Sequence, residues 1–198
     1  MVWDKLAQSA DDENQRHRDR LIGIYIGVLA VILAVCSTGG DNAAKEATRK
    51  NIASADTWAF FQAKNARRQM LRLQVDEFEA LKATQPSLPD AAKSAIDAKI
   101  AGYKDTDARL TSEPDTGEGL DELFTKGKAL EAERDRALRQ DPYFDYGQAF
   151  LQIAIVLASV AIISTGNALL VVSAILGVAG TLLTVNGFTL AVAIPFLG

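Results

Sequence analysis

The residues that could carry out catalysis or bind a metal are few and scattered. His17 is the only histidine and Cys36 the only cysteine among 198 residues, so the chain has no multi-histidine metal cluster or catalytic triad and no cysteine-based metal knuckle. The acidic residues of 76–79 and 131–135 alternate with Lys and Arg, as on a solvated helix face. The sequence therefore predicts no catalytic, cofactor-binding or metal site, and a protein that is not an enzyme.

Two local patterns resemble motifs with a known chemistry, and we interpret both as structural. Residues 117–119 read Gly-Glu-Gly, but no Lys-Ser or Lys-Thr follows and no strand precedes, so they indicate a loop and not a phosphate site. Cys36 follows an apolar run, as the lipidated Cys of a lipoprotein does, but Val35 fits that signal poorly. We expect Cys36 to be buried near the end of a membrane helix.

Three apolar stretches determine where such a chain resides. Residues 21–38, 149–165 and 168–185 contain no Asp, Glu, Lys, Arg or His, and each approaches the roughly 20 residues that a helix needs to cross a bilayer. We predict an all-α integral membrane protein with a charged N-terminal tail (1–20), transmembrane helices over 21–38, 147–165 and 168–185, a helical stalk domain between the first two (39–146), and an apolar C-terminal tail (186–198).

The stalk domain should be an antiparallel helical hairpin. No Pro or Gly lies between 42 and 82, and the breaks at 85–90 and 113–119 separate two further helices, over 90–110 and 120–140, the last ended by Asp141-Pro142. Two faces of the first helix can pack. Leu71, Val75, Phe78 and Lys82 share one face, and the other is a packing seam of modest hydrophobicity with alternating spacings of three and four, as in a coiled coil. The seam comprises Ile52, Ala55, Ala59, Gln62, Ala66, Gln69 and Leu73.

The charges next to the spans predict the orientation. Arg16, Arg18 and Arg20 directly precede the first span, which favours an N-terminus in the cytoplasm. Basic residues also lie on the stalk side of the spans, but loops beyond about 60 residues are translocated largely regardless of charge. We therefore place the stalk domain outside, in the periplasm if the membrane is a bacterial inner membrane.

Small residues with a spacing of four mark two of the spans. Such spacing lets helices approach closely in lipid, and packing within one chain and packing between protomers both remain open. The set predicted to pack the membrane helices is Gly23, Gly27, Ser173, Gly177, Gly180, Thr181 and Thr184. Where the stalk returns to the membrane, Tyr143, Phe144 and Tyr146 are predicted to form an interfacial anchor rather than a ligand cage.

The most distinctive soluble stretch surrounds Trp58. The side chains of Trp58, Phe60 and Phe61 cover more than one face of the helix. One of these faces can pack inside the stalk, and the aromatic side chains on the other should contact another chain, the membrane surface or solvent. The residues predicted to form this interaction site are Asp56, Trp58, Phe60, Phe61, Gln62 and Lys64.

The run Ala-Asp-Thr-Trp-Ala-Phe-Phe-Gln-Ala-Lys at 55–64, followed by Tyr-Phe-Asp-Tyr at 143–146 and by the second span, resembles the bacterial membrane-protein family catalogued as domain of unknown function 4337. The resemblance runs from about the first span to the third. It implies a bacterial inner-membrane protein with three spans, and it implies no activity. Asp56, Trp58, Gln62 and Lys64 match its motif.

We predict a structural or accessory subunit that lies in the lipid bilayer and assembles with itself or with a larger membrane complex. The mixed charges give no basic face for nucleic acid, and no small-molecule substrate is identified. The alternative is a homo-oligomeric channel whose uncharged pore would be lined by Ser173, Thr181, Thr184 and Asn186.

Overall fold

The computed structural model describes residues 2–164 and 167–195, with side chains for residue 13 and from residue 15 onwards, and this described part is all-α. Its elements are α1 (Val2–Thr84), α2 (Asp90–Thr111), α3 (Leu120–Ser164) and α4 (Asn167–Thr189). Within the described residues α1, α3 and α4 are long and apolar enough to cross a membrane. The predicted fold class is confirmed, and the chain is a membrane protein.

The chain divides into two compact units. We call Met1–Ala47 with Asp135–Gly198 the membrane unit, and Thr48–Arg134 the helical unit.

In the helical unit, α1 runs antiparallel to α2 and then to the start of α3. Ion pairs along α1 and α2 join residues whose numbers rise on one helix and fall on the other: Arg72 with Asp107, and Lys82 with Asp97. On α3 the order continues in the same sense, since Lys50 pairs with Glu133. The turn after Thr84 contains Pro86 and Pro89, which supports the predicted break.

Residues 39–41 do not interrupt the first helix, although we predicted a boundary between span and stalk there. A Cβ placed on Gly39 would lie 2.6 Å from Cε1 of Phe144, and one on Gly40 would lie 3.1 Å from Cβ of Phe144. The two glycines therefore make room for this ring inside a continuous helix, and they do not form a turn. The predicted N-terminal tail is likewise part of α1, which begins at Val2.

The prediction that Asp141-Pro142 ends a helix is wrong, because α3 continues through Pro142 to Ser164. Proline removes only one helical hydrogen bond, and the next two side chains, Tyr143 and Phe144, are each 2% exposed. Burial of these two large rings offsets the lost bond. α4 also passes through Asn186-Gly187, where we placed the start of the tail, and ends at Thr189.

Residues 190–195 fold back onto α3 and α4 through their backbone. Asn186 Nδ2 donates to the Val192 carbonyl at 2.8 Å, and the Val192 amide donates to Asn186 Oδ1 at 2.9 Å. Tyr143 Oη donates to the Val192 carbonyl at 3.1 Å and accepts from the Ile194 amide at 3.0 Å. Residues 165, 166 and 196–198 lie outside the described part of the chain.

Candidate functional site

An aromatic cluster around Trp58 joins α1 to α3 in the helical unit. The Trp58 ring stands edge-on to Phe61 and Phe124, with centroid distances of 5.5 and 5.6 Å. Trp58 fits only because α3 has a glycine opposite it: a Cβ on Gly127 would lie 2.9 Å from Cε2 of Trp58. The cluster is therefore a close contact between helices.

Polar groups hold the Trp58 ring in place. Trp58 Nε1 donates to Glu131 Oε1 at 3.0 Å, and Lys128 Nζ lies 2.8 Å from the other oxygen of the same carboxylate. The Lys128 bond, with a smaller contribution from Trp58, lowers the pKa of Glu131 from its ordinary value. Lys128 Nζ also lies 5.7 Å from the centroid of the Trp58 ring.

The six residues predicted as an interaction site lie on two sides of α1. Trp58, Phe61 and Lys64 are partly buried inside the helical unit, and Lys64 Nζ donates to the Glu118 carbonyl at 2.6 Å. The other three, Asp56, Phe60 and Gln62, are exposed. The part of this site that is available to a partner is therefore the exposed half.

The seam with alternating spacings of three and four, which we predicted to be a packing seam, lies on that same exposed side and is not packed within this chain. Every one of its members is exposed in the helical unit: Ile52, Ala55, Ala59, Gln62, Ala66, Gln69 and Leu73. Ile52 is 57% exposed and Leu73 is 66% exposed. The contacts of α1 with α2 and α3 use its other faces, and the seam remains uncovered by this chain.

A polar cleft of about 380 Å³ lies between α1 and α2 in the helical unit. Four of its charged groups form two ion pairs, and Asp76 also lines it. The Arg72 guanidinium donates from Nε and Nη2 to the two oxygens of Asp107 at 2.8 and 3.0 Å, and Lys104 Nζ lies 2.9 Å from Glu79 Oε1. In the described part of the chain, no group of three His, Cys, Asp or Glu residues could hold a metal ion.

The Arg72–Asp107 pair predicts a measurable pH dependence. Its hydrogen bonds hold the pKa of Asp107 below the ordinary 3.8, so the pair stabilises fully above that value and loses its contribution as the pH falls through the lower folded-state pKa. In the Arg72→Met variant we expect the Asp107 carboxyl to titrate at a higher pH. A carbon NMR titration of the Asp107 side chain measures this, and equal titration curves in both proteins would contradict it.

In the membrane unit, most of the predicted packing residues of α4 contact other parts of the same chain. A Cβ on Gly177 would lie 2.8 Å from Tyr25 Oη, and one on Gly180 would lie 2.9 Å from the Gly147 carbonyl oxygen. Ser173 is fully buried and its hydroxyl donates to the Ala154 carbonyl at 2.7 Å. These positions pack α4 against α1 and α3.

The remaining members of the predicted packing set differ among themselves. Thr184 is 4% exposed, and the hydroxyls of Thr181 and Thr184 donate to carbonyls one turn earlier in α4. Gly23 and Gly27, by contrast, are exposed, and a Cβ on either would meet no atom within 4 Å. The small residues spaced by four therefore pack against other helices of this chain in α4, whereas Gly23 and Gly27 of α1 do not.

The aromatic residues predicted as an interfacial anchor are mostly internal, so that prediction needs correction. Phe144 packs edge-on against Phe188 with a centroid distance of 4.8 Å, and Tyr143 is bonded to the chain end as described above. Only Tyr146, which is 50% exposed, is free of this packing and suits contact with headgroups. Phe144 and Tyr143 are buried because α1 and α4 offer glycines and backbone groups opposite them.

Sequence reasoning missed three contacts of the membrane unit. Tyr25 Oη lies 3.1 Å from the Ser173 carbonyl, to which it donates, and Arg18 Nη2 donates to the Ala161 carbonyl at 3.1 Å in the last turn of α3. Cys36 is buried as predicted, but within α1, where its thiol donates to the Phe144 carbonyl at 3.3 Å. A polar ring within an apolar span was the available signal for Tyr25.

Comparison with known proteins gives one match. The family model described as Domain of unknown function (DUF4337) matches residues 18–190, which confirms the family resemblance in the sequence. No curated protein and no solved structure matches the chain.

Proposed function

The chain belongs to the DUF4337 family, and we propose that it is a non-enzymatic structural or accessory subunit that assembles with itself or with a larger membrane complex. The exposed apolar surface of the helical unit carries this proposal. Ile52, Phe60, Met70 and Leu73 are 57%, 41%, 65% and 66% exposed on one helix. Because this unit also carries many charged side chains, lipid tails do not account for these apolar residues, and a partner surface does.

The interior of the chain supports a role without catalysis. In the cleft between α1 and α2, two ion pairs engage Arg72 with Asp107 and Lys104 with Glu79. The remaining acid of the lining, Asp76, has no histidine or cysteine beside it there, so the cleft presents no acid–base or nucleophile–base pair of the usual kinds to a substrate. In the membrane unit the hydroxyls of Ser173 and Thr184 donate to carbonyls of the chain. These interactions stabilise the fold.

The alternative of an uncharged pore gains no comparable support. Of the four residues proposed to line it, Ser173 and Thr184 are 0% and 4% exposed. Asn186 is partly buried, and both the nitrogen and the oxygen of its side-chain amide bond the backbone of Val192. A subunit held by its apolar surface is the better account of these positions.

We place the protein in the bacterial inner membrane, with its N-terminus in the cytoplasm and the helical unit in the periplasm. The arginines at 16, 18 and 20, directly before the first apolar stretch, support this orientation. A membrane-impermeant maleimide should then label the Asp115→Cys variant, whose loop position is exposed, in cells with a permeabilised outer membrane. Labelling that requires rupture of the inner membrane would reverse the orientation.

The assembly is tested by gentle extraction from native membranes followed by native mass measurement. We expect a particle heavier than the single 21.3 kDa chain, containing further copies or other polypeptides. Copies alone would indicate self-assembly, and other polypeptides would indicate a larger complex. A particle with the mass of one chain, at several mild detergent conditions, would contradict the proposed function.

A further inference from the structure

We propose that the exposed seam of α1 in the helical unit binds the same seam of a second copy, with the two helices parallel and in register. This inference rests on the proposed function and specifies its partner. The seam is the set defined above, from Ile52 to Leu73.

In the helical unit, α1 has two separate faces. Its buried positions, Ser54, Thr57 and Val75, are 3%, 8% and 7% exposed and face α2 or α3. The seam lies on the other side, with alternating steps of three and four residues. That alternation averages the 3.5-residue repeat at which two helices stay in contact over a long distance. A helix with one satisfied face and one repeating open face is suited to a second helical partner.

The residues along the seam complement the same residues of a second copy when the two helices are parallel and in register. Ala59 and Ala66 occupy the middle of one row of the seam, and their small side chains let two backbones approach. Gln62 and Gln69 occupy the other row, and an amide side chain can both donate to and accept from an identical neighbour. In a parallel pair, residues with the same number face each other, so each glutamine meets its own copy.

The charged residues beside the seam also favour a parallel pair that ends near Leu73. One row of the seam is Ile52, Ala59, Ala66 and Leu73. In a parallel pair, the residue that directly precedes a member of this row faces, on the other helix, the residue numbered five higher. Arg72 then faces Glu77 of the second copy. Because Arg72 already bonds Asp107 of its own chain through Nε and Nη2, this contact would extend an existing ion pair to a second carboxylate, and it is made twice. The seam ends at the next position of the repeat, Asp76, where two carboxylates would meet.

In the membrane unit, the positions of α1 that follow the same repeat are also exposed. Counting back along α1, the repeat is interrupted at the charged positions Lys45 and Asp41. It resumes in the apolar span at Ala34, Val31, Gly27 and Ile24, and all four are exposed in that unit. Small residues at the core positions allow close helix packing in lipid. Because one sequence inserts with one orientation, two copies in one bilayer have parallel α1 helices.

The test uses three glutamines of α1 as matched positions. Gln62 and Gln69 lie on the seam, and Gln74, which is also exposed, lies off it. Each is replaced by Cys in the full chain, in native membranes, and a mild oxidant is applied. A disulfide requires Cα atoms within about 4.4–6.8 Å, so only facing positions should join. The unmodified chain is the background control, because its native Cys36 is fully buried.

We expect Gln62→Cys and Gln69→Cys to shift from one chain mass to two under non-reducing conditions, and Gln74→Cys to stay at one. Equal cross-linking at all three positions would indicate random collision and overturn the proposal. Disulfides from 62 and 69 to another polypeptide would also overturn it while leaving the proposed function intact. A monomeric mass in native extraction, with no cross-link, would overturn both.

Discussion

Gly180→Ala should destabilise the membrane unit more than any other single methyl addition that we propose, by about 3 kcal/mol, near the upper end of the usual range for overpacking. The new Cβ would lie 2.8 Å from Leu151 Cγ and 2.9 Å from the Gly147 carbonyl oxygen. A side chain can move aside, but the second contact is with the backbone of a neighbouring helix. The expected result is a clearly lower thermal unfolding temperature in detergent.

The control for this prediction is Gly23→Ala, which adds the same methyl group where no atom lies within 4 Å. It should leave the unfolding temperature unchanged or raise it slightly, because alanine is the better helix former. Both variants are compared by circular dichroism of the full chain in one detergent. Equal unfolding temperatures for the two variants would show that α4 does not pack against α3 at Gly180.

Trp58→Ala should be the most damaging truncation in the helical unit. Complete truncation of a buried aromatic residue costs about 3–5 kcal/mol, and because Trp58 is only partly buried we expect the lower end of that range. The variant loses the edge contacts with Phe61 and Phe124 and leaves a gap opposite Gly127. Hydrogen exchange of the backbone amides in 120–134 should become faster.

Two further variants separate the contributions at this site. Trp58→Phe keeps an aromatic ring and loses the bond to Glu131, so we expect an intermediate loss of about 1 kcal/mol. Phe60→Ala removes a neighbouring ring that is 41% exposed, and exchange in 120–134 should hardly change. If Phe60→Ala accelerates exchange as much as Trp58→Ala, the assignment of inner and outer faces to α1 is wrong.

The elements that the sequence predicted well are those with a strong periodic or compositional signal. The three apolar stretches and the helices between them correspond to α1, α3 and α4 and to the helical unit. Helix ends were predicted less well, because glycine and proline residues such as Gly39, Gly40 and Pro142 occur both at helix ends and inside continuous helices. Glycine can end a helix or admit a ring, and the choice depends on Phe144, which lies more than 100 residues further along the chain.

The candidate site was predictable in position but not in orientation. Trp58, Phe60 and Phe61 stood out by composition, yet which of them face α3 depends on where Gly127 leaves space. The seam was predictable from its spacing, and only the three-dimensional arrangement shows that this chain leaves it exposed. The roles of Tyr143 and Phe144 as internal residues also depend on long-range partners.

Solvent access to the seam in native membranes tests the central claim of an assembling subunit most directly. The Cys variants at Gln62, Gln69 and Gln74 are treated with a maleimide in broken membranes and again after denaturation. If a partner covers the seam, positions 62 and 69 will label slowly until the protein is denatured, while position 74 labels quickly throughout. Equally fast labelling at all three positions before denaturation would contradict the account.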